Sequence, residues 1–187
     1  MLDHIEEEIT QFWPRNKTIT PDDVRGNSET LSQAILEKGW PLLDDSRGKA
    51  IFILLSSGDL REGYHEKYPG LNDSRMFTMS EVGTPEAAIF SNTDPLGSGE
   101  EIIALIEEGY IVRSRADNAE NGEADNNDTS RRDAAISVGA HSISTDYPAK
   151  VDGIDYWVEI PNGDPVACNP ISAPNDCTSE RIESLND

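Results

Sequence analysis

The chain has 187 residues, 36% of them apolar and 27% charged. Its apolar runs sit between polar stretches, which is a globular pattern and excludes a disordered chain, and the length suits one domain, since single domains commonly hold ~100–200 residues. Fifteen Lys and Arg against 36 Asp and Glu leave a net charge of −21, a field that repels phosphate backbones and anionic headgroups and excludes nucleic acid as an expected partner.

In chain order, MLDHIEEEITQFW places Leu2, Ile5, Ile9, Phe12 and Trp13 on one helical stripe with the glutamates mostly elsewhere, until Pro14 stops the pattern. This segment is acidic and unlike a signal peptide, and no stretch approaches the ~20 apolar residues of a bilayer span. Thr20-Pro21-Asp22-Asp23 predicts a helix start with Thr20 as N-cap and Pro21 in the first turn. A helix through Leu31, Ala34, Ile35 and Leu36 should stop at Gly39.

The continuous apolar run from Lys49 to Ser56 predicts a parallel strand covered on both faces, ended by Gly58 and Asp59. Arg75 to Met79 and Ala87 to Asn92 predict two more strands. Ser98 and Glu101 match a capping box for a helix from Glu100 to Glu108, which carries Ile102, Ile103, Leu105 and Ile106 inward and stops at Gly109. A strand from Tyr110 to Asp117, a capped helix from Asp128 to Val138 and a strand from His141 to Asp146 follow. Ile154 to Ile160 predicts an appended strand, with a turn at Pro161-Asn162-Gly163. Strand and helix alternate with short connections, the pattern of an α/β fold with a parallel sheet.

The most informative segment is Tyr110-Ile-Val-Arg-Ser-Arg-Ala-Asp117. The period of two puts Ile111, Arg113, Arg115 and Asp117 on one face, and small or apolar residues, suited to a helix layer, on the other. Two guanidiniums near the C-terminal end of a strand suit bidentate recognition of a phosphate; the competing reading is an Arg–Asp network that neutralises itself. Asp146, at the end of the next strand, either orients a ligand hydroxyl or an Arg, or caps the turn at Tyr147-Pro148.

The loop from Asp117 to Asp128 has the length and central glycine, Gly122, of a calcium loop. Ala119 at a ligand position, Asp128 in place of a bidentate Glu, and a strand leading in all argue for a solvated connection instead. His4, His65 and His141 have no Asp or Cys at an interpretable spacing. Cys168 and Cys177 are expected to form a disulfide closing a small tail loop, which would place the chain in an oxidising compartment, rather than to stand as two unrelated thiols.

The segments ITPDDVRG (Ile19 to Gly26), EKGWPLLDDSRGK (Glu37 to Lys49), GYIVRSRAD (Gly109 to Asp117), DTSRRDAAISVGA (Asp128 to Ala140) and STDYP (Ser144 to Pro148) resemble, together and in collinear order, bacterial and fungal calcium-dependent phosphoinositide-specific phospholipases C. The ending CNPISAPNDC resembles that family's tail as well.

The resemblance implies a (β/α)8 TIM-barrel fold that cleaves phosphodiesters by general acid/base catalysis with Ca2+ assistance, outside the cytoplasm (extracellular or periplasmic). Arg115 and Asp117 then stand as catalytic candidates, and Arg113, Arg115 and Asp146 as substrate-binding ones; no metal ligand is assigned. The family's catalytic histidines and principal calcium ligands lie on early strands, in a segment with a His-Asn pair that this chain lacks. A full barrel takes eight strands and roughly 250 residues, so the expected fold is α/β, an incomplete TIM barrel of about strands 4–8. Residues 1–150 would form the C-terminal part of the barrel and 151–187 a β extension with the disulfide loop. A phosphoinositide or other phosphodiester is the expected substrate, and self-association or the missing barrel half the expected protein partner. The alternative is a non-catalytic module that binds phosphorylated ligands through an Arg-lined pocket.

Overall fold

A computed structural model of the chain describes residues 2–160, 163 and 166–183. It divides into two compact units, residues 1–90 and 91–187.

The first unit opens with helix α1 (Leu2–Phe12). The apolar stripe is only partly covered: Leu2, Ile5 and Ile9 are half-buried, Phe12 is 73% exposed and Trp13 42%, whereas Glu6 is buried. Its carboxylate accepts the Tyr64 hydroxyl and, at 3.1 Å, the Arg75 N–H, and the Tyr64 hydroxyl in turn accepts the Met76 N–H at 3.1 Å. A buried carboxylate is tolerated where donors converge on it, so a polar clasp adds to the apolar contacts here, among them the edge-on contact of Trp13 with Phe52. Helix α2 (Pro21–Arg25) begins as expected, with the Asp23 carboxylate accepting the Thr20 N–H at 2.8 Å. Helix α3 (Leu31–Lys38) is capped by Thr30 and ends at Gly39, whose φ of 75° is a conformation glycine adopts without strain. A single turn, α4 (Leu43–Ser46), precedes strand β1 (Phe52–Leu54). Helix α5 (Asp59–Lys67) lies where the sequence offered only a strand end, because its composition is polar and a single residue, Tyr64, is buried. It makes the crossover to strand β2 (Met76–Thr78), which pairs parallel with β1 in the register Phe52 to Met76. Parallel bridges Thr18 to Ala50 and Met79 to Ile89 extend the pairing on either side.

Strand β3 (Ile89–Ser91) heads a three-stranded sheet of order β3-β4-β5. Helix α6 (Gly99–Glu107) buries Ile102 and Ile106. Its expected cap is absent: the Ser98 side chain makes no capping bond, and the 98 N–H is itself taken by the Asp94 carbonyl. Strand β4 (Ile111–Arg115), helix α7 (Ser130–Ser137) and strand β5 (Ser142–Ser144) follow, with β4 and β5 parallel in the register Arg113 to Ser142 and Arg115 to Ser144.

The architecture is mixed α/β with parallel strands in small sheets, as a partial α/β domain would have, and the described strands do not make a closed barrel. The expected β extension is corrected: residues 155–160 form no strand, and the pairing there is confined to an antiparallel bridge from Val151 to Ile154 and a Val158 N–H bond to the Tyr147 carbonyl at 2.9 Å among the described residues. Side-chain anchors hold this segment instead, with Tyr156 buried and the Trp157 carbonyl accepting from Arg132. Pro161 and Asn162 of the expected turn lie outside the described residues. Cys168 and Cys177 form the expected disulfide, followed by helix α8 (Ser179–Glu183).

Candidate phosphate site at the end of strand β4

Strand β4 alternates as its sequence requires. Val112, Ser114 and Ala116 are fully buried, while Ile111, Arg113 and Arg115 are half-buried on the opposite face. Helices α6 and α7 pack against the strand. The two guanidiniums thus start from one face of one strand, two residues apart, as the period of two predicts.

Their tethers differ. Arg113 donates from Nη1 to Ser91 Oγ at 3.2 Å and from Nη2 to Ser144 Oγ at 2.7 Å, and no carboxylate among the described residues pairs with it. Burial, and then the neighbouring Arg115 charge, push its guanidinium below its ordinary value. Arg115 donates from Nε to the Asp117 carbonyl at 3.0 Å and from Nη2 to Asp146 Oδ2 at 3.3 Å. Asp146 therefore orients an Arg, one of the two roles open to it from sequence.

Asp117 is where the simple face argument stops. Its side chain is 1% exposed and bonds neither guanidinium. One carboxylate oxygen accepts the Thr145 hydroxyl, with the Tyr156 hydroxyl 3.5 Å away; the other accepts the Asp146 N–H at 3.0 Å. The strand ends at Arg115, so alternation no longer fixes the direction of a side chain two residues later. Asp117 ties the end of β4 to the segment after β5, and only its backbone carbonyl reaches Arg115.

Sequence reasoning missed Ser91, Ser144, Thr145 and Tyr156. The two serines and Thr145 carry a weak signal, being hydroxyl residues at strand ends. Tyr156 carries none, because an aromatic in the tail reads as an alternating strand position. His141 stands at the start of β5, the end opposite Asp146, and its Nδ1 accepts the Val112 N–H at 3.2 Å. Burial lowers its basicity.

The acidic loop after β4 is organised around Glu123. Its carboxylate accepts Arg131 Nε at 2.8 Å, Asn121 Nδ2 at 3.1 Å and the Asn118 N–H at 3.1 Å. Burial works to raise its pKa, but the bonds from Arg131, then Asn121 and Asn118, outweigh it and leave the group at about 2. Among the described residues no three His, Cys, Asp or Glu side chains converge to hold a metal. Calcium prefers six to eight oxygen ligands, yet Asp117 and Glu123 are filled by donors and Asp146 faces Arg115. These residues do not fit the calcium ion that the resemblance implies.

No helix among the described residues is long and apolar enough to cross a membrane. The disulfide is compatible with an extracellular location. Neither a curated protein nor a solved structure matches the chain. A family model does, that of the Ca2+-dependent phosphoinositide phospholipases C, over residues 1–170. With nine-tenths of its length inside that match, the chain belongs to the Ca2+-dependent phosphoinositide phospholipase C family.

Proposed function

We propose that this chain carries the phosphate-binding side of a phospholipase C-like phosphodiesterase, acting on phosphoinositides or related phosphodiesters outside the cytoplasm, within a TIM-barrel-type fold. One observation carries the reading: Arg113 keeps a guanidinium on the strand face beside Arg115 with two serine hydroxyls as its side-chain partners among the described residues. A cation held by neutral groups is unneutralised locally, and an anion relieves its charge, with the neighbouring Arg115, already paired with Asp146, able to add a second donor. In a chain of net charge −21, such a pair is the kind of feature that overcomes long-range repulsion of an anionic substrate. Arg113 and Arg115 hold the phosphate, Asp146 aims Arg115, and no step is assigned to calcium because the residues here do not fit it.

A module that binds phosphorylated ligands without cleaving them is the second reading. It is favoured because both carboxylates near the guanidiniums are engaged, Asp117 by hydroxyls and an N–H and Asp146 by Arg115. Calorimetric titration with myo-inositol 1-phosphate tests the shared claim. Arg113→Ala should weaken binding about 10- to 100-fold, the loss of a charge-assisted contact, and Arg113→Lys should restore only part of it; equal affinity in wild type and Arg113→Ala would sink the site. Turnover of phosphatidylinositol by this chain with added Ca2+ would exclude the binding-only reading.

A further inference from the structure

The tail returns to the end of β4 at a single point. The Tyr156 ring is 1% exposed and meets Tyr147 edge-on, with centroids 5.5 Å apart. Its hydroxyl donates to the Ala116 carbonyl at 3.0 Å, and the Asp117 carboxylate lies 3.5 Å off. Burial first, and then Asp117, push the hydroxyl up to about 12, so it keeps its proton and remains a donor. The peptide it holds lies between Arg115 and Asp117, and the Asp117 carbonyl is the acceptor of Arg115 Nε at 3.0 Å. The Asp117 carboxylate meanwhile fixes the N–H of Asp146, the ion-pair partner of Arg115. Both restraints on the Arg115 guanidinium therefore run through a segment that Tyr156 pins from about 40 residues downstream, an aromatic anchor of large contact area and little side-chain freedom.

We propose that Tyr156 is a positioning residue for the phosphate site, holding the Ala116–Asp117 backbone and the Asp117 carboxylate so that Arg115 is aimed by a fixed carbonyl and a fixed Asp146. The proposal rests on the reading of Arg113 and Arg115 as phosphate ligands only for its effect on affinity. Its geometric part stands independently. It also gives the tail after β5 a role in the site that the β-extension expectation did not contain.

The test uses the full chain with 15N-labelled arginine, following the Nε–H resonances of Arg115 and of Arg131, whose bond to Glu123 lies in the same unit. In Tyr156→Phe the Arg115 Nε–H should lose its protection from solvent exchange while Arg131 is unchanged. Affinity for myo-inositol 1-phosphate should fall about two- to tenfold, as expected for one lost hydrogen bond. An unchanged Arg115 resonance overturns the proposal whatever the affinity does. If both resonances are lost in Tyr156→Phe, the same comparison is made in Thr145→Val, which removes another hydroxyl from the Asp117 carboxylate. Selective loss at Arg115 then supports the proposal, and loss of both again overturns it, since these hydroxyls would be holding the fold rather than the guanidinium. A wild type that binds no inositol phosphate, but whose Arg115 resonance still responds to Tyr156→Phe, sinks the phosphate reading and leaves the positioning role intact.

Discussion

Glu123 and Asp117 are both buried acidic side chains in an acidic chain, and donors from other residues converge on each. For Glu123 the donors include a guanidinium, so its pKa falls from an ordinary 4.5 to about 2 in the folded chain. Because the folded value lies below the unfolded one, this group's contribution is fully present above pH ~4.5 and is lost as the pH falls toward about 2. Glu123→Gln should therefore lower stability by about 1–3 kcal/mol at neutral pH, and the gap from wild type should close in urea melts as the pH is lowered through that window. A gap that persists unchanged at the acid end would show that the Gln side chain disturbs the loop by shape rather than by charge. The same loop counts against a calcium reading from the inside: Glu123 is already used to organise the backbone between β4 and α7.

Helix α7 shows how an element can be legible at its end and still depend on a distant segment. Gly139 is recognisable as a helix stop, and its φ of 76° agrees. What sits against it is not local. Asn169, inside the disulfide loop, donates to the Gly139 carbonyl at 2.6 Å, and a Cβ built on Gly139 would lie 2.7 Å from Asn169 Oδ1 and 2.9 Å from Ile171 Cγ1. Two penalties then coincide in Gly139→Ala, the left-handed backbone and the clash with the tail. The substitution should destabilise the chain by about 2–4 kcal/mol, measured by chemical denaturation; a change below about 0.5 kcal/mol would mean that both the backbone and the tail adjust at no cost. At β4 the strand period runs for five residues and fails at Asp117, because pairing, not sequence, decides how far alternation extends.

At the scale of the whole molecule, charge is the strongest influence that composition supplies. A net charge of −21 makes the folded chain repel itself, and the compact state concentrates that repulsion. Raising NaCl from about 0.01 to 0.15 M, which shortens the Debye length from about 30 to 8 Å, should therefore raise the thermal midpoint. A midpoint that falls with salt would mean that ion pairs such as Arg131 with Glu123 outweigh the repulsion. The same salt should weaken inositol phosphate binding at the arginine pair by screening local attraction, so stability and affinity are expected to move in opposite directions.

The sequence by itself determined the α/β alternation, the alternation within β4 and the disulfide, because these follow from short-range periodicity and from cysteine spacing in a polar tail. It also carried the family, through motifs spread collinearly along the chain. Tertiary structure alone decided that the buried Glu6 helps to anchor α1, that Asp117 turns inward to tie two strand ends, and that Tyr156 holds the backbone beside Arg115. Each of these depends on a polar group meeting donors or acceptors from segments distant in the chain, here between 28 and 69 residues away. Periodicity reports which side of an element is covered, whereas hydrogen-bond partners at that range are set by how the elements pack.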